Sequence, residues 1–199
     1  LLGFLYAGSR FGGIGLGVVS GIGLMFEVLV LRMTPGKAPI DVMLVILAVV
    51  TCASVLEAAG GLKYMLQIAE KILRKNPKRV TILGPIVTWA LTIMLGTGHA
   101  VYSIMPIIGD IALKNGIRPE RPMAAASVAS QLAITGSPIS AVVTTYLAGV
   151  SGIPLFEHIS LPHVVAVTIP ATFAGTIALS LYSLRRGKEL QDDPEYQRL

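Results

Sequence analysis

Long apolar stretches alternate with short polar, mostly basic ones along the whole chain. The first, from about Phe11 to Leu31, is long enough to cross a hydrocarbon core of about 30 Å at 1.5 Å per helical residue. Gly13, Gly17 and Gly21 recur every four residues in it and predict a smooth face for close helix packing, within the protein or across a dimer. Glu27, near the end of this span, reads as an interfacial carboxylate. A turn with Pro35, Gly36 and Pro39 leads to a second span over 42–61, with Glu57 again interfacial. The period then changes. Leu62, Met65, Leu66, Ala69, Ile72 and Leu73 fall on one helical face, and Lys63, Glu70, Lys71 and Arg74 decorate the other side. That pattern predicts an amphipathic helix over 62–75 lying in the membrane interface, stopped by Pro77 in the basic run 74–79.

Two apolar arms follow, 80–95 and 100–113, joined by Gly96-Thr97-Gly98-His99. At 16 and 14 residues, each falls short of the roughly 17 a spanning helix needs. Both outer ends are basic, which predicts a re-entrant hairpin with its tip at 96–99; two short spans with a tight outside turn remain the alternative. The run 123–150 is long enough to span, but Thr135-Gly136-Ser137-Pro138-Ile139-Ser140 interrupts it. We read that stretch as unwound, with a proline kink satisfied by neighbouring hydroxyls as the alternative. The loop 151–162 has no Lys or Arg and reads as an outside loop; His158 and His163 flank it without an assigned role. A last span over 164–184 ends in basic residues 185–188, and 189–199 form a polar tail. The expected fold class is all-α and integral to the membrane: about four transmembrane helices, one re-entrant hairpin and an interfacial helix.

Composition agrees with this pattern. Mean hydropathy is +0.73 and 14% of residues are charged, against about 25% in soluble domains. The net charge of +5 therefore speaks of orientation and anionic-lipid contact, not of nucleic acid. With the N-terminus inside, 14 of the 16 Lys and Arg fall on the cytoplasmic side, all but Arg32 and Lys37, and the C-terminus is cytoplasmic too. Cys52, the single cysteine, reads as a small buried hydrophobe and leaves no disulfide or zinc-ligand pattern. The chain opens on Leu1-Leu2-Gly3, in what reads as the tail of a hydrophobic segment with residues missing before it. No cleavable signal peptide is apparent.

The chemistry sits in the two polar interruptions. Unsatisfied backbone in hydrocarbon costs several kcal/mol per group, so such breaks persist only when buried in protein or lining a wet cavity. Discontinuous helices of this kind build substrate sites in many secondary transporters. A hairpin tip and a broken helix each turn a helix N-terminus, with free N–H donors and partial positive charge, toward the membrane centre, which suits a carboxylate. The candidate binding residues are Gly96, Thr97, Gly98 and His99 at the tip, and Thr135, Gly136, Ser137, Pro138 and Ser140 at the break. His99 is the ionisable group at the tip, and a structural role competes with a substrate-binding one. Asp110, one turn from Lys114, reads as interfacial.

Several stretches resemble a known family. Pro35-Gly36-Lys37-Ala38-Pro39-Ile40-Asp41-Val42-Met43-Leu44 is similar to the anaerobic C4-dicarboxylate transporters of the Dcu family. So are Leu66-Gln67-Ile68-Ala69-Glu70-Lys71, Gly96-Thr97-Gly98-His99 and Asn115-Gly116-Ile117-Arg118-Pro119-Glu120-Arg121-Pro122-Met123-Ala124. The resemblance runs nearly end to end. It implies exchange of fumarate, malate or aspartate for succinate across the bacterial inner membrane in anaerobic respiration, without nucleotide or metal cofactors. The order of parts also resembles the wider ion-transporter superfamily, one repeat of an inverted-repeat transporter. On that likeness 1–61 are scaffold-type helices, 62–79 an arm, 80–150 the transport-type hairpin and broken helix, 151–188 the outer loop and last span, and 189–199 a tail. It would set Thr97, Gly98 and Ser137 near the substrate. Family members are about twice this length, so the resemblance implies an N-terminal half completed by a missing C-terminal half or a second copy. The expected partners are therefore a C4-dicarboxylate, membrane lipid and that second repeat.

Three other readings stay open. One is a sodium- or proton-coupled carboxylate symporter of the same superfamily, its cation held by unwound carbonyls and hydroxyls. Another is a non-transporting membrane fragment. The third is an intramembrane hydrolase using Ser137 or Ser140 with His99, though no nucleophile motif surrounds either serine.

Overall fold

The computed structural model describes residues 2–11, 13–34, 40–150, 153, 156, 158–187 and 190. The turn expected at 35–39, most of the outer loop over 151–157 and the tail after 190 lie outside the described residues. Among the described residues every regular element is helical. They form two units, residues 1–39 and 40–199.

The first unit is a helical hairpin of α1 (Leu2–Ser9) and α2 (Gly13–Leu29). The span expected from Phe11 to Leu31 is thus a 17-residue helix, because Arg10 and Phe11 turn back on the carbonyls of Ala7 and Gly8. Within this unit the close contact on α2 is made at a different glycine. A Cβ at Gly17 or Gly21 would meet nothing within 4 Å, whereas one at Gly23 would stand 2.7 Å from Phe4. Phe4 lies over Phe26 there, ring centroids 5.9 Å apart.

In the second unit α3 (Ile40–Ala58) and α4 (Gly61–Lys75) meet at a 69° bend, with Gly60 at φ 82°. Leu44, Leu47, Val50 and Val55 of α3 are more than half exposed, an outward apolar face suited to lipid. Cys52, expected to be buried, is exposed on the same helix. A 3₁₀ turn (Pro77–Arg79) then leads into α5 (Val80–Leu95), followed by α6 (Ala100–Lys114), α7 (Glu120–Gly136), α8 (Ala141–Val150) and α9 (Leu161–Leu184). Stretches 77–95, 120–147 and 161–184 are long and apolar enough to cross a membrane, and the bent α3–α4 pair makes up to four. The first of these corrects the expectation of an arm too short to span, because the 3₁₀ turn brings it to 19 residues. α7 starts three residues before the expected 123. α9 starts at 161 instead of 164, because Pro162 suits a first turn and Ser160 and His163 close a capping box.

α4, α5 and α6 share an apolar core in which Leu73, Val80, Ile104 and Ile108 are fully buried. Ile72, expected on that inner face, is instead 43% exposed. α5, α7 and α9 pack closely through small and hydroxyl residues. α7 presents Ala125, Ala126, Ala129, Ser130, Ala133 and Gly136, and α9 presents Thr172, Thr176, Ser180 and Ser183, all buried. Lipid tails are as apolar as Leu, so contacts between small residues and satisfied hydroxyls hold such helices together. Thr176 and Ser180 spend theirs on carbonyls one turn back, at 2.8 and 2.7 Å.

Charges gather where α4, α6, α7 and α9 have their basic ends. Asp110 accepts a hydrogen bond from Lys114 at 2.8 Å and forms an ion pair with Arg74 at 3.6 Å, tying α6 to α4. The hydrogen bond from Lys114, then the charges of Lys114 and Arg74, hold the Asp110 carboxyl below its ordinary value against some desolvation. Arg121 donates to the carbonyl of Gly187 at 2.9 Å and its own carbonyl accepts Ser183 at 2.9 Å, which closes the end of α9.

Candidate functional site

The polar tip and the polar break lie against each other. α5 ends at Gly96, whose φ of 69° is one that side-chain-bearing residues rarely adopt. A Cβ there would also stand 2.8 Å from Ile139 Cγ1 and 3.0 Å from its carbonyl oxygen, inside the break. Gly98 is equally constrained. Its missing Cβ would fall 2.8 Å from Ile134 and 3.0 Å from Gln131 of α7. At the break, Gly136 has its counterpart contacts with Ile93 of α5 and Thr172 of α9, at 3.0 and 2.9 Å. Three glycines therefore let backbones meet where three helices converge.

Hydroxyls stitch this junction. Ser130, fully buried on α7, donates to the Gly98 carbonyl at 2.9 Å and accepts from Thr92 at 3.3 Å. Ser137, also fully buried, donates to the Ile93 carbonyl at 2.8 Å, in the last turn of α5. Ser140 accepts the Val143 amide at 3.2 Å and so caps α8. Trp89 reaches Thr172 with its indole N–H at 3.1 Å. Of the hydroxyls that the sequence suggests for a ligand, Ser137 is thus engaged in tying the break to α5 and Ser140 in capping α8, while Ser130 and Thr92 hold the tip to α7.

What faces outward is smaller. Thr97 and His99 share a hydrogen bond of 2.9 Å between Oγ1 and Nδ1, His99 is exposed, and its ring lies 6.1 Å from that of Tyr102. Among the described residues the amides of Thr97 and Gly98 have no protein acceptor. They precede the first turn of α6, whose N-terminal donors point the same way. Thr135 is still helical, ending α7 with Gly136, so the unwound stretch is 137–140. Its hydroxyl turns back to the Leu132 carbonyl at 2.7 Å, and it lines an apolar cavity of about 500 Å³ between α8 and α9. Pro138 is half-buried. The nine candidates therefore divide: Gly96, Gly98, Gly136, Ser137 and Ser140 build the junction, Pro138 lies half-buried in the break itself, Thr97 and His99 stand on the junction's surface, and Thr135 faces the α8–α9 cavity. A second apolar cavity of about 370 Å³, with Cys52 of α3 on one side and Met94, Leu95 and Ile139 on the other, adjoins the junction.

Depth follows from α9. Gly136 lies against Thr168 and Thr172, the eighth and twelfth of the helix's 24 residues counted from Leu161. At 1.5 Å per residue, the junction is about 18–24 Å from the basic end of a helix about 36 Å long. Ile93 of α5 also meets Gly136 at this level, while α8 continues beside the first turns of α9. Thr92, Ser130 and Thr172 were not singled out in the sequence. Ser130 carried a signal, being the polar member of the otherwise Ala-rich buried stripe of α7. Among the described residues no cluster of His, Cys, Asp or Glu suits a metal ion.

Comparison with known proteins adds a family. A family model described as "Anaerobic c4-dicarboxylate membrane transporter" matches residues 1–199. The chain is 51% identical over 195 residues to the anaerobic C4-dicarboxylate transporter DcuB of Escherichia coli O6:H1, covering 98% of the chain and 44% of that protein. It is 41% identical over 196 residues to the C4-dicarboxylate transporter DcuA of Helicobacter pylori strain J99, covering 98% and 43%. With DcuA of Wolinella succinogenes it shares 39% over 197 residues, covering 99% and 45%. The chain thus spans less than half the length of these relatives. No solved structure matches it.

Proposed function

The chain belongs to the anaerobic C4-dicarboxylate membrane transporter family, a family of transporters and not enzymes, and from that premise we propose that it supplies one half of the substrate site of a C4-dicarboxylate exchanger. The exchange takes fumarate, malate or aspartate in and succinate out across the bacterial inner membrane, with both chain ends cytoplasmic. α5 and α6 act as a re-entrant hairpin, and α7–α8 as a broken span. The arrangement is one repeat of an inverted pair; a C-terminal half or a second copy supplies the other.

The observation that carries this reading is the meeting of two helix N-termini, α6 and α8, at a junction midway along α9. A carboxylate there receives the free amides of Thr97 and Gly98, the Thr97 hydroxyl and the His99 ring. Each helix N-terminus contributes about 0.3–1 kcal/mol toward an anion, and more when partly buried. Gly96, Gly136, Ser137, Pro138 and Ser140 fix the backbone that aims these donors, and Thr135 flanks it. Among the described residues no Lys or Arg contacts the junction, so amides and hydroxyls hold the anion weakly enough to release it.

Two measurements test this. Succinate should stabilise the purified chain against thermal unfolding, and Thr97→Val and His99→Gln should each weaken that effect about fivefold, the worth of one hydrogen bond. Unchanged affinity in both variants removes the tip from the site. In proteoliposomes loaded with succinate, labelled fumarate should enter only by counterflow and ignore a sodium gradient. Sodium-driven uptake would replace the exchanger with a symporter. Binding without any uptake would show that the 199 residues bind but do not exchange alone.

A further inference from the structure

α4 is apolar over a wider arc than the protein covers. Its inner face, with Ala69 and Leu73 at 2% and 0% exposure, packs on α5 and α6. Beside that face Tyr64, Ile68 and Ile72 follow one another every four residues and remain 65%, 44% and 43% exposed. Four residues advance about 40° around a helix, so the three form one outward stripe, not scattered contacts. Lys71 and Lys75 come seven residues after Tyr64 and Ile68, nearly two full turns, and therefore emerge along the same stripe. Lys78 and Arg79 continue the basic run into the 3₁₀ turn.

The acids nearby are already engaged. Glu70 is held by Arg74 at 2.7 Å, and Asp110 by Lys114 and Arg74. Among the described residues Lys71, Lys75, Lys78 and Arg79 have no acidic partner. An apolar stripe bordered by uncompensated lysines has a simple physical complement, a surface with acyl chains beneath and phosphates above. The lysine stems lie along the apolar boundary while their ammonium groups rise to the phosphate level.

We infer that the outer face of α4 binds anionic phospholipid, with Tyr64, Ile68 and Ile72 at the headgroup–acyl boundary and Lys71, Lys75 and Lys78 on lipid phosphates. Neutral lipid would satisfy the stripe but not the lysines. An acidic protein segment would satisfy the lysines and leave the stripe to be buried by apolar side chains of its own. Because the inner face of α4 is locked to α5 and α6, and Arg74 to Asp110, the lipid contact also sets the height of the hairpin against the bilayer.

The test uses the full chain in nanodiscs, with Cys52→Ala as background because the native thiol is exposed. Ile68→Cys and Gln67→Cys are labelled separately with an environment-sensitive fluorophore. The discs contain phosphatidylcholine alone or with an equal share of phosphatidylglycerol. The probe at 68 should be shielded from aqueous iodide and quenched by lipid-borne nitroxides, and the probe at 67 should behave oppositely. Phosphatidylglycerol should deepen the shielding at 68, and Lys71→Gln/Lys75→Gln/Lys78→Gln should abolish the difference between the two lipid mixtures. Each lysine is worth about fivefold near an anionic surface, so the triple variant should lose on the order of a hundredfold in preference for phosphatidylglycerol over phosphatidylcholine retained with the protein. Equal iodide access at 67 and 68 would overturn the proposal. So would a probe at 68 shielded from both quenchers, which would mean protein covers the stripe, or a triple variant that keeps the lipid preference.

Discussion

Ser130 offers the sharpest test of how the tip is held. Its hydroxyl is fully buried, donates to the Gly98 carbonyl at 2.9 Å and accepts from Thr92 at 3.3 Å. Ser130→Ala removes one oxygen and leaves the packing almost unchanged, so a cavity adds little. The Gly98 carbonyl keeps a longer bond of 3.3 Å from the Val101 amide, so it is weakened and not orphaned. Hydrogen bonds between membrane helices average about 0.6 kcal/mol and reach about 1.7. We expect about 1 kcal/mol, or about fivefold in an equilibrium, and a fall in melting temperature of about 2–4 °C.

If that bond orients the tip, the loss should appear in succinate affinity, as a fivefold weaker ligand-induced stabilisation. Thr92→Val should have a smaller effect, because it removes only the outer link. The double variant should match Ser130→Ala alone, since Thr92 acts through Ser130. A fallen melting temperature with unchanged succinate affinity would refute a positioning role and leave Ser130 as packing glue. Additive effects in the double variant would refute the relay from Thr92.

Three further outcomes follow from the geometry. Gly98→Ala should cost about 1–3 kcal/mol, because its methyl would stand 2.8 Å from Ile134, and succinate should no longer stabilise a chain whose tip has been pushed off α7. Ser140→Ala removes the cap on α8 and should cost about 1 kcal/mol, read as faster hydrogen exchange at Val143 and Thr144 with the rest of α7 unchanged. Asp110, whose carboxyl is held below its ordinary value by Lys114, contributes stability that is present above about pH 4 and lost as pH falls through its folded value. Hydrogen exchange across α4 should therefore quicken in that acid range, and Asp110→Asn should remove the pH dependence; a variant that still responds to acid there would refute it.

What the sequence could convey depended on how far away the relevant partner lay. Apolar run length, Gly96-Thr97-Gly98-His99 and the Gly-Ser-Pro break are local, and the helices α5, α6, α7 and α8 end close to where those signals set them. The start of α9 was missed because Ser160 with His163 adds a capped turn, and the length of the span that ends at Leu95 was missed because a 3₁₀ turn precedes α5, which itself starts at the expected Val80. The uses of the hydroxyls were not local. Ser137 satisfies a carbonyl 44 residues away and Ser130 one 32 residues away, and no pattern along the chain announces either partner. This separation has a physical cause. In a bilayer every broken turn must find donors and acceptors inside the protein, so the hydroxyls nearest a break are the first to be drawn into repairing it. What the repair leaves over here is two amides, Thr97 and His99, the groups to which we assign the substrate, and a polar residue beside a break is evidence for a site only once its own hydrogen bond has been traced.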